Sequence, residues 1–141
     1  MTENEISYKI RGAIFKVYNE LGSGLFESVY EKALIYQLKK DGLQAKSQVS
    51  VPVYYDDHLL DIGFILDILV EEKVIIEIKS IEELSKLHHK QVQNYLGLTN
   101  LRLGILVNFN TTTISASIHR KVNKYNPLED EIINPENLNG I

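Results

Sequence analysis

The hydrophobic period of the chain changes once, near residue 45, and this change limits the fold to a few mixed α/β arrangements. Before it, apolar residues recur every three to four positions, which predicts two amphipathic helices separated by Gly22-Ser23-Gly24. After it, apolar residues stand at every second position over 49–53 and 62–70, which predicts half-buried strands. A helical pattern returns over 85–96 and is followed by more strands. The predicted order is α-α-β-β-β-α-β-β, a mixed sheet covered by helices.

Local signals set the ends of these elements. Pro52 predicts that the first strand lies at a sheet edge, because proline cannot donate to a ladder. Ser80 and Glu83 are spaced as a capping box ahead of the third helix. The stretch 101–109 is nearly all apolar, which is typical of a strand buried on both faces. Alternation over 114–118 predicts a last short strand.

Length and composition indicate one domain. The chain has 141 residues, of which 44% are hydrophobic and 24% charged. We expect residues 1–125 to form this domain and residues 126–141 to form an extended tail. There is no apolar run of about eighteen residues, the polar start is unlike a signal peptide, and the absence of cysteine excludes disulfides and thiol chemistry. The expectation is a cytoplasmic protein with no membrane partner.

Charge is unevenly distributed along a chain whose net charge is −4. Residues 79–125 carry 7 basic and 2 acidic groups, whereas residues 126–141 carry 4 acidic groups and no basic one. Any nucleic-acid contact should therefore be local to the basic segment. The candidates for phosphate contacts are Lys86, Lys90, Arg102, Arg120, Lys121 and Lys124. An ordinary solvated surface explains the same charges equally well.

Three charged residues interrupt two otherwise apolar strands. Asp67 is the only polar residue of 64–70, and Glu77 and Lys79 are the only ones of 74–79. A charge in a core strand costs several kcal/mol unless it is paired or bound to a metal. These three residues are therefore candidates for a functional site.

Strand parity predicts where these side chains meet. Glu77 and Lys79 are two residues apart and share a face. If residues 71–73 form a three-residue hairpin loop, Asp67 falls opposite Glu77, whereas a two-residue loop would send the acids to opposite faces. The Glu-x-Lys pattern alone is weak, because it also occurs in Glu71-Glu72-Lys73, a turn. A buried ion pair that only neutralises itself remains an alternative.

Two helices add polar residues to this set. His88, Gln91 and Tyr95 share one face of the third helix, which should look toward the sheet. They would bind a phosphate or a metal-bound water, or simply the backbone, and His89 is expected to be exposed. Glu27 opens the second helix, where the helix dipole alone favours an acid. Its functional interpretation is a third carboxylate beside the first two.

The segment Gly24-x-x-Glu27-x-x-Tyr30 resembles the motif of the GxxExxY proteins, a family placed in the PD-(D/E)XK nuclease superfamily. The resemblance covers most of residues 6–122. It implies a restriction-endonuclease-like mixed β-sheet flanked by helices. The segment Gln91-x-x-x-Tyr95 is similar to a motif of the RecB-like branch. No proline precedes Asp67, which departs from the superfamily's pattern.

The resemblance also implies a site and a reaction. It implies a Mg²⁺- or Mn²⁺-dependent nuclease acting on DNA or RNA. The implied metal ligands are Asp67, Glu77 and the Ile78 carbonyl, with Glu27 as a candidate further ligand. Lys79 would act on the attacking water. The residues that would position substrate are Tyr30, His88, Gln91 and Tyr95. Two alternatives stay open, a nuclease-fold binding module without turnover and a plain interaction domain, and a homodimer is one option for assembly.

Overall fold

The computed structural model describes residues 1–129. Its helices are α1 (Glu3–Leu21), α2 (Glu27–Lys40) and α3 (Lys86–Thr99). Its strands are β1 (Ala45–Val51), β2 (Tyr54–Tyr55), β3 (His58–Leu59), β4 (Phe64–Val70), β5 (Val74–Lys79), β6 (Leu103–Asn108) and β7 (Ile118–Val122). A 3-10 helix spans Ile114–Ser117. The predicted order of elements is present. The structure also has a short β2–β3 hairpin, whose turn is Asp56-Asp57 and which is not among the predicted elements.

Five strands form one mixed sheet in the order β1-β4-β5-β6-β7. Strands β5 and β6 run parallel, and every other neighbouring pair is antiparallel. Strand β1 lies at an edge, as Pro52 predicts, and all six residues of β6 are buried, as its apolar sequence predicts. The predicted restriction-endonuclease-like α/β fold is confirmed.

Helices cover both faces of the sheet and create two cores. Helices α1 and α2 pack on one face and form the first core, which includes Ile10, Leu34 and Ile76. Helix α3 packs on the other face and forms the second core, which includes Val92 and Ile75. Each such side chain contributes about 1.5–3 kcal/mol when fully buried. Within residues 1–129, none of the helices has the length and apolar character needed to cross a bilayer.

The hairpin between β4 and β5 has the predicted three-residue loop. Val70 pairs with Val74, and the Lys73 N–H donates to the Val70 carbonyl at 2.9 Å. Glu71 and Glu72 have φ values of 52° and 56°, in the left-handed region that residues other than glycine seldom adopt. This register places residue 67 opposite residue 77.

Strand β4 changes face halfway along its length. Phe64 and Leu66 pack with the second core, whereas Ile68 and Val70 pack in the first. The expectation of one continuous alternation over 62–70 is therefore wrong. The change falls at the strand's single acidic residue, and Gln48 on β1 has a φ of 51° where it faces that residue. A local backbone rotation in both strands accounts for the switch.

Two predicted element ends are wrong. Helix α3 is capped by Ser85, whose N–H donates to Nδ1 of His88 at 2.9 Å, and not by Ser80 and Glu83. The stretch 114–117 is a 3-10 helix because its N–H groups turn back on the chain, as in the 3.2 Å bond from Ala116 to the carbonyl of Thr113.

The predicted tail begins at residue 126, and residues 130–141 lie outside the described part of the chain. Within 126–129, Leu128 packs in the first core and is only 5% exposed. Contact with the core therefore extends at least three residues beyond the expected end of the domain at residue 125.

Candidate metal and phosphate site

Where the backbone pairing of β4 and β5 ends, hydrogen bonds from two carboxylates connect the two strands. The paired residues of these strands end at Ile68 and Ile76. One step further along, Glu77 Oε1 accepts the N–H of Asp67 at 3.1 Å, and Asp67 Oδ2 accepts the N–H of Ile78 at 2.9 Å. Each acid is thus held by the backbone of the neighbouring strand.

Burial and charge repulsion set the protonation of this pair. Glu77 is 5% exposed, and its burial, together with the Asp67 charge, raises its pKa to about 8. Lys79 acts in the opposite direction and lowers the pKa of Glu77. In the metal-free protein Glu77 is therefore largely protonated at neutral pH, and a cation that binds here must displace that proton.

The oxygen ligands at this position fit a hard divalent cation. Mg²⁺ is commonly held by one or two carboxylates, and water and substrate phosphate complete its octahedron. Asp67 and Glu77 supply the two carboxylates. No group of three or more acidic, histidine or cysteine side chains within residues 1–129 forms a metal cluster. The remaining ligands would have to come from backbone, water and substrate.

The Ile78 carbonyl is placed to be one of these ligands. The N–H and C=O of one strand residue point toward the same neighbouring strand, and the Ile78 N–H points at Asp67. The carbonyl therefore faces β4 on the side where the two acids lie. The predicted set of Asp67, Glu77 and Ile78 is brought together in the structure.

Lys79 shares a face with Glu77. Ile76 and Ile78 pack in the first core, so Glu77 and Lys79 project toward the opposite face. The Lys79 carbonyl accepts the N–H of Phe109 at 2.8 Å, which fixes the end of β5 against the segment that follows β6. Lys79 makes no ion pair within 4 Å with either acid, so a closed, self-neutralised pair does not describe this group.

Glu27 lies near the end of the same strand but does not join the two acids in a cluster. Its Oε1 accepts the N–H of Ser80 at 3.2 Å. The Ser80 hydroxyl in turn donates to the carbonyl of Leu25 at 2.6 Å. These bonds tie the loop before α2 to the residue that follows Lys79.

Tyr30 is fully buried and holds that same loop. Its hydroxyl donates to the carbonyl of Gly22 at 2.6 Å and accepts the N–H of Leu25 at 3.1 Å. Its ring stacks on Phe109, with centroids 4.2 Å apart. Tyr30 therefore acts on the site through the loop that carries Glu27.

Helix α3 presents two of its three predicted residues near the acids. The Gln91 side-chain amide donates to the hydroxyl of Tyr95 at 2.8 Å, and the Tyr95 ring stacks on Phe64 of β4. Burial raises the pKa of Tyr95, and the charges of Glu77 and Asp67 add to this effect. His88 instead caps the helix with its Nδ1.

Two histidines were missed by sequence reasoning. His89, expected to be exposed, is half-buried, because α3 places it beside His119 of β7 with ring centroids 5.0 Å apart. Its Nδ1 is buried and has no hydrogen-bond partner among the residues the structure describes. The only signal in the sequence for His119 is the strand pattern around it. The predicted last strand ends at residue 118, so this pattern does not place His119 on a strand.

A mixed sheet between helices, with an acid on one central strand and Glu-x-Lys on the next, defines a restriction-endonuclease-like domain. A family model described as the PD-(D/E)XK nuclease superfamily matches residues 4–121. The chain belongs to that superfamily.

One solved structure that is similar to this chain is the crystal structure of SSO0001. The two share 26% sequence identity, with a TM-score of 0.53. The alignment covers 76% of this chain and 54% of that one, so this chain spans about half the length of the solved structure. A comparison with curated proteins finds no significant match.

Proposed function

We propose that this chain is a Mg²⁺- or Mn²⁺-dependent nuclease that hydrolyses phosphodiester bonds of DNA or RNA. The observation that carries the proposal is the interlocked pair of Asp67 and Glu77, with Lys79 on the same face as Glu77 and free of any ion pair to the two acids. Membership of the PD-(D/E)XK nuclease superfamily supports it. The GxxExxY family and the RecB-like branch are the finer assignments that we propose.

Asp67, Glu77 and the Ile78 carbonyl are the proposed metal ligands. When bound, the metal supplies Lewis-acid stabilisation of the phosphoryl oxygen and lowers the pKa of a bound water. Lys79 orients the attacking water and stabilises the negative charge that develops on the phosphate. Within residues 1–129, neither Lys79 nor any other cationic side chain forms an ion pair with the two acids.

The surrounding residues position the substrate or the catalytic groups. Gln91 and Tyr95 offer an amide and a hydroxyl near the acids and are proposed to contact phosphate. Glu27 is proposed to fix the end of β5 and to orient a water or a second cation. Tyr30 and His88 are proposed to position the backbone around the site. The Tyr30 hydroxyl binds the loop before α2, and Nδ1 of His88 binds the N-cap residue of α3.

A second candidate function is a nuclease-fold binding module without turnover. The raised pKa of Glu77 favours it, because a proton on Glu77 removes the repulsion between the two acids without a cation. Metal-dependent cleavage separates the two candidates.

The test is cleavage of single- and double-stranded DNA and RNA with Mg²⁺ or Mn²⁺. We expect cleavage that Lys79→Ala lowers by about 100-fold or more without a comparable loss of substrate affinity. Lys73→Ala is the matched control, because Lys73 ends the other Glu-x-Lys sequence, in an exposed turn. Substrate binding without cleavage by the wild-type protein would favour the binding module.

A further inference from the structure

A basic pocket lies between α3 and β7, on the side of α3 away from the Gln91–Tyr95 pair. The side-chain amide of Gln93 marks this side, because it donates to the Val122 carbonyl at 2.8 Å. The pocket has a volume of about 690 Å³. Its cationic and histidine lining residues are Lys86, His89, Lys90, His119, Lys121 and Lys124. No acidic residue lines it within the described part of the chain.

Lys121 is the most unusual member of this pocket. It is 4% exposed, and within residues 1–129 it makes no ion pair or hydrogen bond through its side chain. Burial lowers its pKa. Its ammonium group is reached from a pocket that no acidic residue lines within the described part of the chain, so its charge has no anionic partner there. A bound anion would supply that partner.

The histidine pair extends the same wall of the pocket. His89 and His119 meet edge to face, and Nδ1 of His89 is buried without a partner in the described chain. Burial and the nearby Lys121 lower the pKa of both rings. A neutral imidazole still carries one N–H donor, and an ammonium group carries three. The pocket thus offers several donors and excess positive charge.

The pocket lies near the two acids. Glu77 pairs with Leu106, and Leu106 pairs with His119, so two strand spacings, about 10 Å, separate Glu77 from His119 along one row of the sheet. Adjoining depressions also connect the pocket with Ser80 and Glu27, beside the end of β5. One contains His89, His119 and Asn110, and the next contains Asn110, Ser80 and Glu27.

We propose that the α3–β7 pocket binds a phosphate group of the nucleic-acid strand, close to the scissile phosphate and without a metal ion. The identity of the strand rests on the proposed function. A phosphate group suits the pocket because its several oxygens accept from lysine and imidazole donors together. Bound there, it fixes the register of the strand relative to the acids.

The test measures affinity for labelled oligonucleotides in EDTA, where no metal-dependent cleavage occurs. We expect Lys121→Met to weaken binding about tenfold, the loss of one charged hydrogen bond. Lys39→Met is the control, because Lys39 is exposed on α2 and the charge change is the same. We expect less than about a twofold effect from it, as for a surface charge far from the strand. If the two variants bind alike, the proposal is wrong.

A double variant at the exposed rim, Lys90→Met with Lys124→Met, repeats the test if Lys121→Met does not fold. Inorganic phosphate should shift the ring resonances of His89 and His119 and compete with the oligonucleotide, and unchanged resonances would overturn the proposal. Oligonucleotides with a 5′-phosphate, a 3′-phosphate or neither distinguish a terminal from an internal phosphate as the occupant. Binding is measured without metal, so it does not depend on cleavage. If the pocket variants bind oligonucleotide more weakly but the wild-type protein cleaves no nucleic acid, only the proposed nuclease activity is refuted.

Discussion

Glu77 accepts a hydrogen bond from the backbone N–H of Asp67 at 3.1 Å, so the second acid is held by the strand that carries the first. The reverse bond runs from the Ile78 N–H to Asp67 Oδ2 at 2.9 Å. Because both acids are bound by backbone, removal of either side chain alters the geometry of the other strand as well as the charge. Conservative amide substitutions are therefore the sharper tests.

The stability of the metal-free protein should fall as the pH rises. The folded-state pKa of Glu77 is about 8, against 4.5 for an ordinary glutamate, so between these values the folded protein holds a proton that the unfolded chain has released. This contribution is complete below pH 4.5 and is lost as the pH rises through 8. The slope is at most about 1.4 kcal/mol per pH unit for one proton. Urea unfolding in EDTA at several pH values measures it.

Glu77→Gln should remove that slope, because the amide does not titrate. Glu72→Gln is the matched control, since Glu72 is exposed and pairs with Lys46 at the surface. If wild type and Glu77→Gln show the same pH dependence, Glu77 titrates normally in the folded protein.

A divalent cation should stabilise the protein. A ligand that binds only the folded state adds about 2.7 kcal/mol at 100 times its Kd. Thermal melts at pH 8 with millimolar Mg²⁺ or Mn²⁺ should therefore show a higher Tm than melts in EDTA. Asp67→Asn and Glu77→Gln should abolish the increase. An equal increase in all three proteins would place the cation elsewhere.

Tyr30→Phe should destabilise the fold by about 1–3 kcal/mol, because it leaves the Gly22 carbonyl and the Leu25 N–H without their buried partner. Chemical denaturation measures the loss. Tyr36→Phe, at a tyrosine that is 68% exposed, should have little effect. Cleavage per folded molecule should change little. Lost cleavage with unchanged stability would instead assign the Tyr30 hydroxyl to the substrate.

Gly104→Ala should also destabilise, because a Cβ there would lie 2.9 Å from Cγ1 of Val92 and push α3 off the sheet. Overpacking of this kind costs about 1–3 kcal/mol. Adding Val92→Ala should recover part of the loss, which a double-mutant cycle measures. Gly97→Ala, with nothing within 4 Å of its new Cβ, should stabilise α3 by about 0.5–1 kcal/mol. Equal effects at the two glycines would contradict close packing at Gly104.

The sequence predicts that residues 67 and 77 lie opposite each other, because the turn has an odd length, and each carboxylate does contact the backbone of the other strand. It does not predict the change of face within β4, since Phe64, Leu66, Ile68 and Val70 are all apolar and look alike whichever core they enter. Only the packed structure distinguishes the two helical layers.

The roles of the polar side chains on α3 do not follow from the sequence. A histidine on the inner side of a helix has the same sequence signature whether it binds a ligand or caps the helix, and His88 does the latter. The sequence predicts an exposed His89, because nothing in the local pattern shows that β7 runs alongside it. Long-range contacts of this kind do not appear in a residue pattern.

The loop over residues 71–73 is constrained in its length but not in its residue types. Replacing Glu71 or Glu72 by glycine or asparagine would reduce the strain of their positive φ angles. Its length is not free, because gaining or losing one residue would turn Glu77 and Lys79 away from Asp67. Relatives that keep the site should therefore differ in this loop by substitution or by two residues at a time, and a relative with a single-residue insertion there should have lost it.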